Sequence, residues 1–163
     1  MNQVSPPLSP AQTDWKLFID GAARKNPGPA GAGIFLMDPS KKSIHKGFFL
    51  GIKTNNQAEY LALILGIYYF LELRQHENET LSIISDSELL VRQMTGQYKV
   101  RNQELIKLQQ MAFHLLRQVP FCICHVLRIY NKTADELANK GIDEKIAVPE
   151  ACIKLLQAHD ITI

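Results

Sequence analysis

What this chain has little of narrows its function first. Three cysteines in 163 residues is an odd and small number, so a disulfide framework is not what holds it together. Cys122 and Cys124 stand two apart on one face of a probable strand, where a bridge between them would be strained. The pattern predicts reduced, buried thiols in a cytoplasmic protein. A zinc site drawn from Cys122, Cys124, His125 and Cys152 matches no standard ligand spacing. Excess charge of one sign is also missing. A net charge of +2 does not announce a nucleic-acid partner, although the placement of charge counts for more than the sum. Lys41, Lys42, Lys46 and Lys53 gather in one segment, and Arg24 and Lys25 follow Asp20 closely. Long apolar runs are absent too. Crossing a membrane takes about 20 such residues, and the longest candidate, Leu61 to Leu71, is broken by Gly66 and three aromatics. The opening MNQVSPPLSPAQT has neither a basic start nor an apolar stretch. It reads as a disordered lead-in over residues 1–13 rather than a signal peptide.

What remains is an ordinary globular composition, long enough for one hydrophobic core. Lys16 to Ile19 is a short apolar run closed by Asp20 and then by small breakers, the pattern of a buried strand. Ala30 to Met37 and Ser43 to Leu50 follow across a turn at Asp38-Pro39-Ser40, which predicts an antiparallel meander. Thr54-Asn55-Asn56 offers caps to a helix whose apolar residues recur at helical spacing to about Arg74. Leu81 to Ser85 is a fourth strand ending in Asp86, followed by a short helix over 87–94 and a longer one over 102–118. Phe121 to Ile129 reads as the fifth strand, and Asn131 begins a helix that carries Asp135. Strands alternating with helices imply parallel pairing with right-handed crossovers. The expected fold is therefore α/β: a mixed five-stranded sheet, three antiparallel strands and then parallel ones, flanked by helices over residues 14–143. The tail, 144–163, has a helical cue at Pro149-Glu150 and apolar residues at Ile153, Leu155 and Leu156. Whether it docks on the domain or on a partner is left open.

Two strands in this scheme end in an aspartate. A single aspartate at a strand end is explained well enough by bonding within its own turn. Asp20 and Asp86 together are different, because ligands gather beyond the carboxyl ends of neighbouring parallel strands. Glu59 and Asp135, each near a helix start, can converge on the same edge. Four carboxylates with no basic residue built in between would repel and hold each other's protons. Oxygen-rich sites of that kind suit Mg²⁺ or Mn²⁺. Two such ions roughly 4 Å apart clamp the attacking and leaving oxygens of a phosphodiester displacement. That is nuclease chemistry.

The segments IDGAARKNPGPAGAG, TNNQAEY, SDSELLVRQ and NKTADELANKGID, in that order, closely resemble the type 1 ribonuclease H family. The resemblance spans about Trp15 to Ile142 and implies a ribonuclease H-like sheet. It also implies metal-dependent hydrolysis of the RNA strand of an RNA–DNA hybrid, with two ions held by Asp20, Glu59, Asp86 and Asp135. The products would carry 3′-hydroxyl and 5′-phosphate ends. By position, Asn26, Asn55, Asn56 and Gln57 match loops that touch the hybrid's minor groove, while Thr54 and Asn55 match the grip on a DNA phosphate. Side-chain amides can distinguish RNA from DNA through the 2′-hydroxyl. Duplex RNA is a further candidate partner, and nothing in the pattern demands a dimer.

The chain departs from the best-known members in two places. The basic helix and loop that they carry after the fourth strand is replaced by the short join Thr95 to Arg101. Hybrid affinity should then be weaker or come from elsewhere, and the chain looks like the compact bacterial and archaeal branch. Counting back from Asp135 places His125 at the family's catalytic histidine, yet His125 lies inside the apolar pattern FCICHVLRI, where a packed histidine fits at least as well. Arg128 is the rival and the favoured choice. It cannot act as a base but can stabilise phosphate charge or help product leave. Two other readings stand beside the enzyme: a binding module for hybrid or duplex RNA with little catalysis, and a DNA-cutting enzyme of the resolvase or integrase type. Four retained carboxylates argue against the first, and Glu59 within TNNQAEY with the Asn26 loop argues against the second.

Overall fold

The computed structural model describes residues 13–163, so all but the last residue of the expected lead-in lies outside it. The elements run β1 (Asp14–Ala23), β2 (Gly28–Met37), β3 (Ser43–Lys53), α1 (Asn55–Leu73), β4 (Thr80–Ser85), α2 (Glu88–Met94), α3 (Gln103–Leu116), β5 (Phe121–His125), a 3₁₀ turn (Arg128–Tyr130), α4 (Lys132–Asp143) and α5 (Glu150–Gln157). The five strands form one sheet in the order β3-β2-β1-β4-β5. Pairing is antiparallel from β1 to β2 and from β2 to β3, and parallel from β1 to β4 and from β4 to β5. This is the expected mixed sheet.

Helix α1 is buried over most of its circumference, from Ala58 through Ile67. It earns that pattern by lying between the sheet and α3. Helix α4 packs on β2 and β3, and the approach is backbone to backbone. A side chain at Gly33 would collide with the Ala134 carbonyl of α4, and one at Gly21 would collide with the Ala58–Glu59 peptide of α1. Glycine is required at both places because no Cβ fits. Successive residues of β1 face opposite sides of the sheet. Gly33 is the register partner of Asp20, so Asp20 shares the face that α4 covers while Gly21 faces α1. These two close approaches bring Glu59 and Asp135 toward Asp20.

The tail packs on the domain: Val148, Cys152, Leu156 and Ile161 belong to the main buried cluster. The backbone N–H of Phe49 donates to the Ile146 carbonyl at 2.7 Å, which ties the tail to the outer edge of β3 at that point. No helix among the described residues is long and apolar enough to cross a membrane.

Two expectations need correction. The fifth strand stops at His125 instead of reaching Ile129. Its neighbour in the sheet, β4, ends at Ser85, which is the partner of His125; the Val126 N–H makes a last bond to the Ser85 carbonyl at 2.9 Å, and the ladder goes no further. The chain beyond curls into the 3₁₀ turn, leaving Leu127, Ile129 and Tyr130 each more than 60% exposed. The thiols of Cys122 and Cys124 are exposed rather than buried, because β5 is an edge strand; only Cys152 is buried.

Candidate active site

Strand β1 does not end at Asp20. It continues against β2 as far as Ala23, but its parallel pairing with β4 closes at Ile19 and Ser85. Asp20 and Asp86 are therefore the first residues past the last parallel pair, side by side at the carboxyl edge. Glu59 arrives from the second turn of α1. Ligand oxygens of Asp20, Glu59 and Asp86 all lie within 4.8 Å of one another. Asp135, in the first turn of α4, lines the same cleft of about 330 Å³ together with Arg24, Asn55, Arg128 and Asn139.

The electrostatics of the cluster are those of a site short of positive charge. Burial first, and then the charge of Asp86, push the Asp20 carboxyl up to about 7. Glu59 is held well above the usual carboxylate range, by burial first and by Asp20 second. Its Oε2 is buried with no hydrogen-bond partner. A buried carboxylate oxygen left without a partner is expensive, and a divalent cation would supply the missing partner. The donor set is all oxygen, which fits Mg²⁺ or Mn²⁺ and disfavours softer metals. The residues present thus suit the ions that the resemblance implies.

The outer rim differs from the expected absence of basic residues. Arg128 donates from Nη2 to Asp135 Oδ1 at 3.1 Å, with the arginine side chain 77% exposed. The 3₁₀ turn that replaces the end of β5 is what aims Arg128 into the cleft. Its rival His125 is exposed at the end of β5 rather than packed, and it is not among the residues lining the cleft.

The five polar residues expected to touch a nucleic acid divide between two neighbouring clefts. Asn26, Thr54, Asn56 and Gln57 line a cleft of about 330 Å³ beside Asn102, Glu104 and Leu105, while Asn55 lines the acidic one. Asn55 bridges the two: its Oδ1 accepts from the Ala23 N–H at 3.0 Å, and its own N–H donates to Asn26 Oδ1 at 3.0 Å. Thr54 and Gln57 form a reciprocal capping box at the start of α1. The cap fixes the helix entry and the amide row in one stroke.

Sequence reasoning missed three residues at this site. Arg24 lines the acidic cleft and pairs with Asp143 at 2.7 Å, and Asn139 donates to the Asp135 carbonyl at 3.0 Å. The third is Asn131, which donates to Asp86 Oδ1 at 2.8 Å. Its signal in the sequence is its place at the head of NKTADELANKGID, four residues ahead of Asp135.

Comparison with known proteins agrees with this geometry. The sequence model of the reverse transcriptase-like family matches residues 18–141. The ribonuclease H of Coxiella burnetii is 32% identical over 144 residues, covering 78% of this chain and 89% of that protein. The chain belongs to the type 1 ribonuclease H family. Other family members fit as closely. The ribonuclease HI of Halobacterium salinarum is 35% identical over 129 residues, and a crystal structure of that archaeon's RNase H1 superposes with a TM-score of 0.75 at 33% identity, covering 80% of this chain and 98% of the other. LC11-RNase H1, solved in complex with an RNA/DNA hybrid, gives a TM-score of 0.73 at 34% identity over 80% of this chain and 97% of that one. A bifunctional protein of Mycobacterium tuberculosis is 38% identical over 127 residues, but this chain spans only 34% of its length. Eight residues, 95–102, join α2 to α3.

Proposed function

We propose that this protein is an endoribonuclease that hydrolyses the RNA strand of RNA–DNA hybrids in the cytoplasm, as a monomer, with two Mg²⁺ or Mn²⁺ ions. The observation that carries the reading is the trio Asp20, Glu59 and Asp86, with ligand oxygens within 4.8 Å and a buried Glu59 oxygen lacking any partner. A pure binding module would gain affinity for phosphate by losing those charges. The hybrid bound by LC11-RNase H1 supports the substrate class.

Asp20, Glu59 and Asp86 would hold one ion, and Asp20 with Asp135 the other. Bound there, the ions would supply an activated water and neutralise charge on the phosphate. Asp20 sits between both groups of ligands, so it is the residue the site can least spare. Arg128 is always charged, and at the rim it can bear phosphate charge as bonding to the leaving oxygen weakens. Asn26, Thr54, Asn55, Asn56 and Gln57 would hold the duplex, with the amides reading 2′-hydroxyls. The short join between α2 and α3 removes a large basic surface, so binding should lean on these neutral contacts and vary less steeply with salt.

The test is an end-labelled substrate panel of hybrid, duplex RNA and duplex DNA, with Mg²⁺ or Mn²⁺, beside Asp86→Asn. Metal-dependent cutting of the RNA strand in the hybrid, lost in the variant, is the expected result. Folded protein that binds the hybrid and cuts nothing with either metal would leave a binding module instead.

A further inference from the structure

Asn131 stands at the start of α4 but does not cap it. Its side chain makes no hydrogen bond to the first turn, although an asparagine in that position ordinarily contributes about 1 kcal/mol by doing so. The amide is turned inward and is 2% exposed. Nδ2 donates one hydrogen to the Ile19 carbonyl and the other to Asp86 Oδ1, both at 2.8 Å. Both partners are acceptors only, so the amide cannot be flipped without setting oxygen against oxygen. Its own Oδ1 is buried and has no partner. The fold therefore leaves one acceptor unsatisfied, and gives up a cap, in order to place two donors.

Those donors tie three elements at the point where the carboxylates meet. Ile19 is the residue before Asp20 and the register partner of Ser85, Asp86 follows Ser85, and Asn131 leads into the helix that carries Asp135. We infer that Asn131 is a positioning residue for the metal-binding carboxylates: by bonding Asp86 and the Ile19 carbonyl at once it stops the Asp86 carboxylate from rotating away from Asp20 and Glu59. The inference rests on the metal-dependent reading above. Hydrogen-bond partners of ligating groups of this kind are typically worth about 10- to 100-fold in metal affinity. A neutral donor is needed here, because a positive one would compete with the ion and a carboxylate would repel Asp86.

Two measurements test this, neither of which relies on turnover alone. In the first, Mg²⁺ is titrated into ¹⁵N-labelled wild-type protein while the Asn131 side-chain amide is followed by NMR. Its two hydrogens should shift in step with the backbone signals of Gly21 and Asp86, since charge drawn from Asp86 weakens the bond it accepts. In the second, Mn²⁺ binding to Asn131→Ala, followed by electron paramagnetic resonance without substrate, should be about 10- to 100-fold weaker. Cleavage by that variant should fall in kcat with little change in KM for the hybrid, because Asn131 is too buried to touch substrate. If the variant does not fold, the wild-type titration decides alone. An Asn131 amide that stays still while Gly21 and Asp86 move would overturn the inference, as would a folded variant that binds Mn²⁺ like wild type. In either case wild-type cutting of the hybrid would leave the parent reading standing. A wild type that neither binds metal nor cuts would remove both.

Discussion

The inner and outer sides of the acidic cleft solve the same electrostatic problem differently. On the inner side, Asp20 on β1 and Glu59 on α1 are paired with no basic side chain, and both are held well above the usual carboxylate range by burial first. On the outer side, Asp86 has a neutral amide and Asp135 a guanidinium, each already hydrogen-bonded. In the proposed mechanism the inner pair would take its positive charge from an ion, while the outer pair already has hydrogen-bond partners. The difference teaches that the site is preorganised in direction and left incomplete in charge. A protein that completed its own charges with buried arginines would have no use for a metal.

The largest effect should come from breaking the inner side. Asp20→Asn removes the carboxylate shared by both proposed ions, so hybrid cleavage should drop by about 10³-fold or more. The same change relieves repulsion with Glu59 and Asp86, so the metal-free variant should melt higher than wild type at neutral pH. Calorimetry with a chelator present checks the second half. A variant that loses activity and also melts lower would mean the carboxylate is structural.

Next in size is the close approach that builds the inner side. Gly21→Ala must push β1 and α1 apart, which should lower stability by about 1–3 kcal/mol, read from the urea midpoint, and should loosen Mn²⁺ binding as well. An unchanged midpoint would show that the two backbones have room to spare.

The two sides should also part company with pH. Asp20 goes from an ordinary value of 3.8 when unfolded to about 7 when folded, so the folded chain binds that proton more tightly. Its contribution to stability is full below the unfolded value and is lost as pH rises through about 7. Glu59 acts in the same direction. Metal-free protein should lose melting temperature between about pH 4 and 7, and saturating Mg²⁺ should flatten that slope. A metal-free slope of the opposite sign would contradict the burial argument.

The smallest of these effects belongs to the outer rim. Arg128→Ala would remove the proposed charge-assisted contact to phosphate, worth about 1.5–3 kcal/mol, and should slow cleavage by about 10- to 100-fold. Stability should change by less than about 1 kcal/mol, because the arginine's side of the pair with Asp135 is exposed. His125→Ala should leave the rate within about twofold. If the two variants exchanged these outcomes, the histidine would take Arg128's role.

Much of this was legible from pattern alone. Apolar runs ending in aspartate gave the core strands and the carboxyl edge, because burial writes a strand's core into its own residues; the end of β1 was misplaced, since pairing with β2 carries it past Asp20 to Ala23. Phe121 to Ile129 misled for the complementary reason: an edge strand ends where its neighbour ends, and Ser85 belongs to another part of the chain. The exposed thiols of Cys122 and Cys124 follow from the same edge. The Arg128–Asp135 bond was hidden because it depends on the turn that replaces the missing strand. Asn131 was hidden because a helix-start asparagine usually caps, and only the structure shows the amide turned the other way.

The contacts at Gly21 and Gly33 have one more consequence. Glu59 and Asp135 are located by main chain resting on main chain, with no side chain between to adopt a different rotamer. A position set in that way does not drift when neighbouring core residues change size. The interior can be rebuilt leucine by leucine over evolutionary time while the distance between the acids stays the same, provided that those two positions never acquire a methyl group.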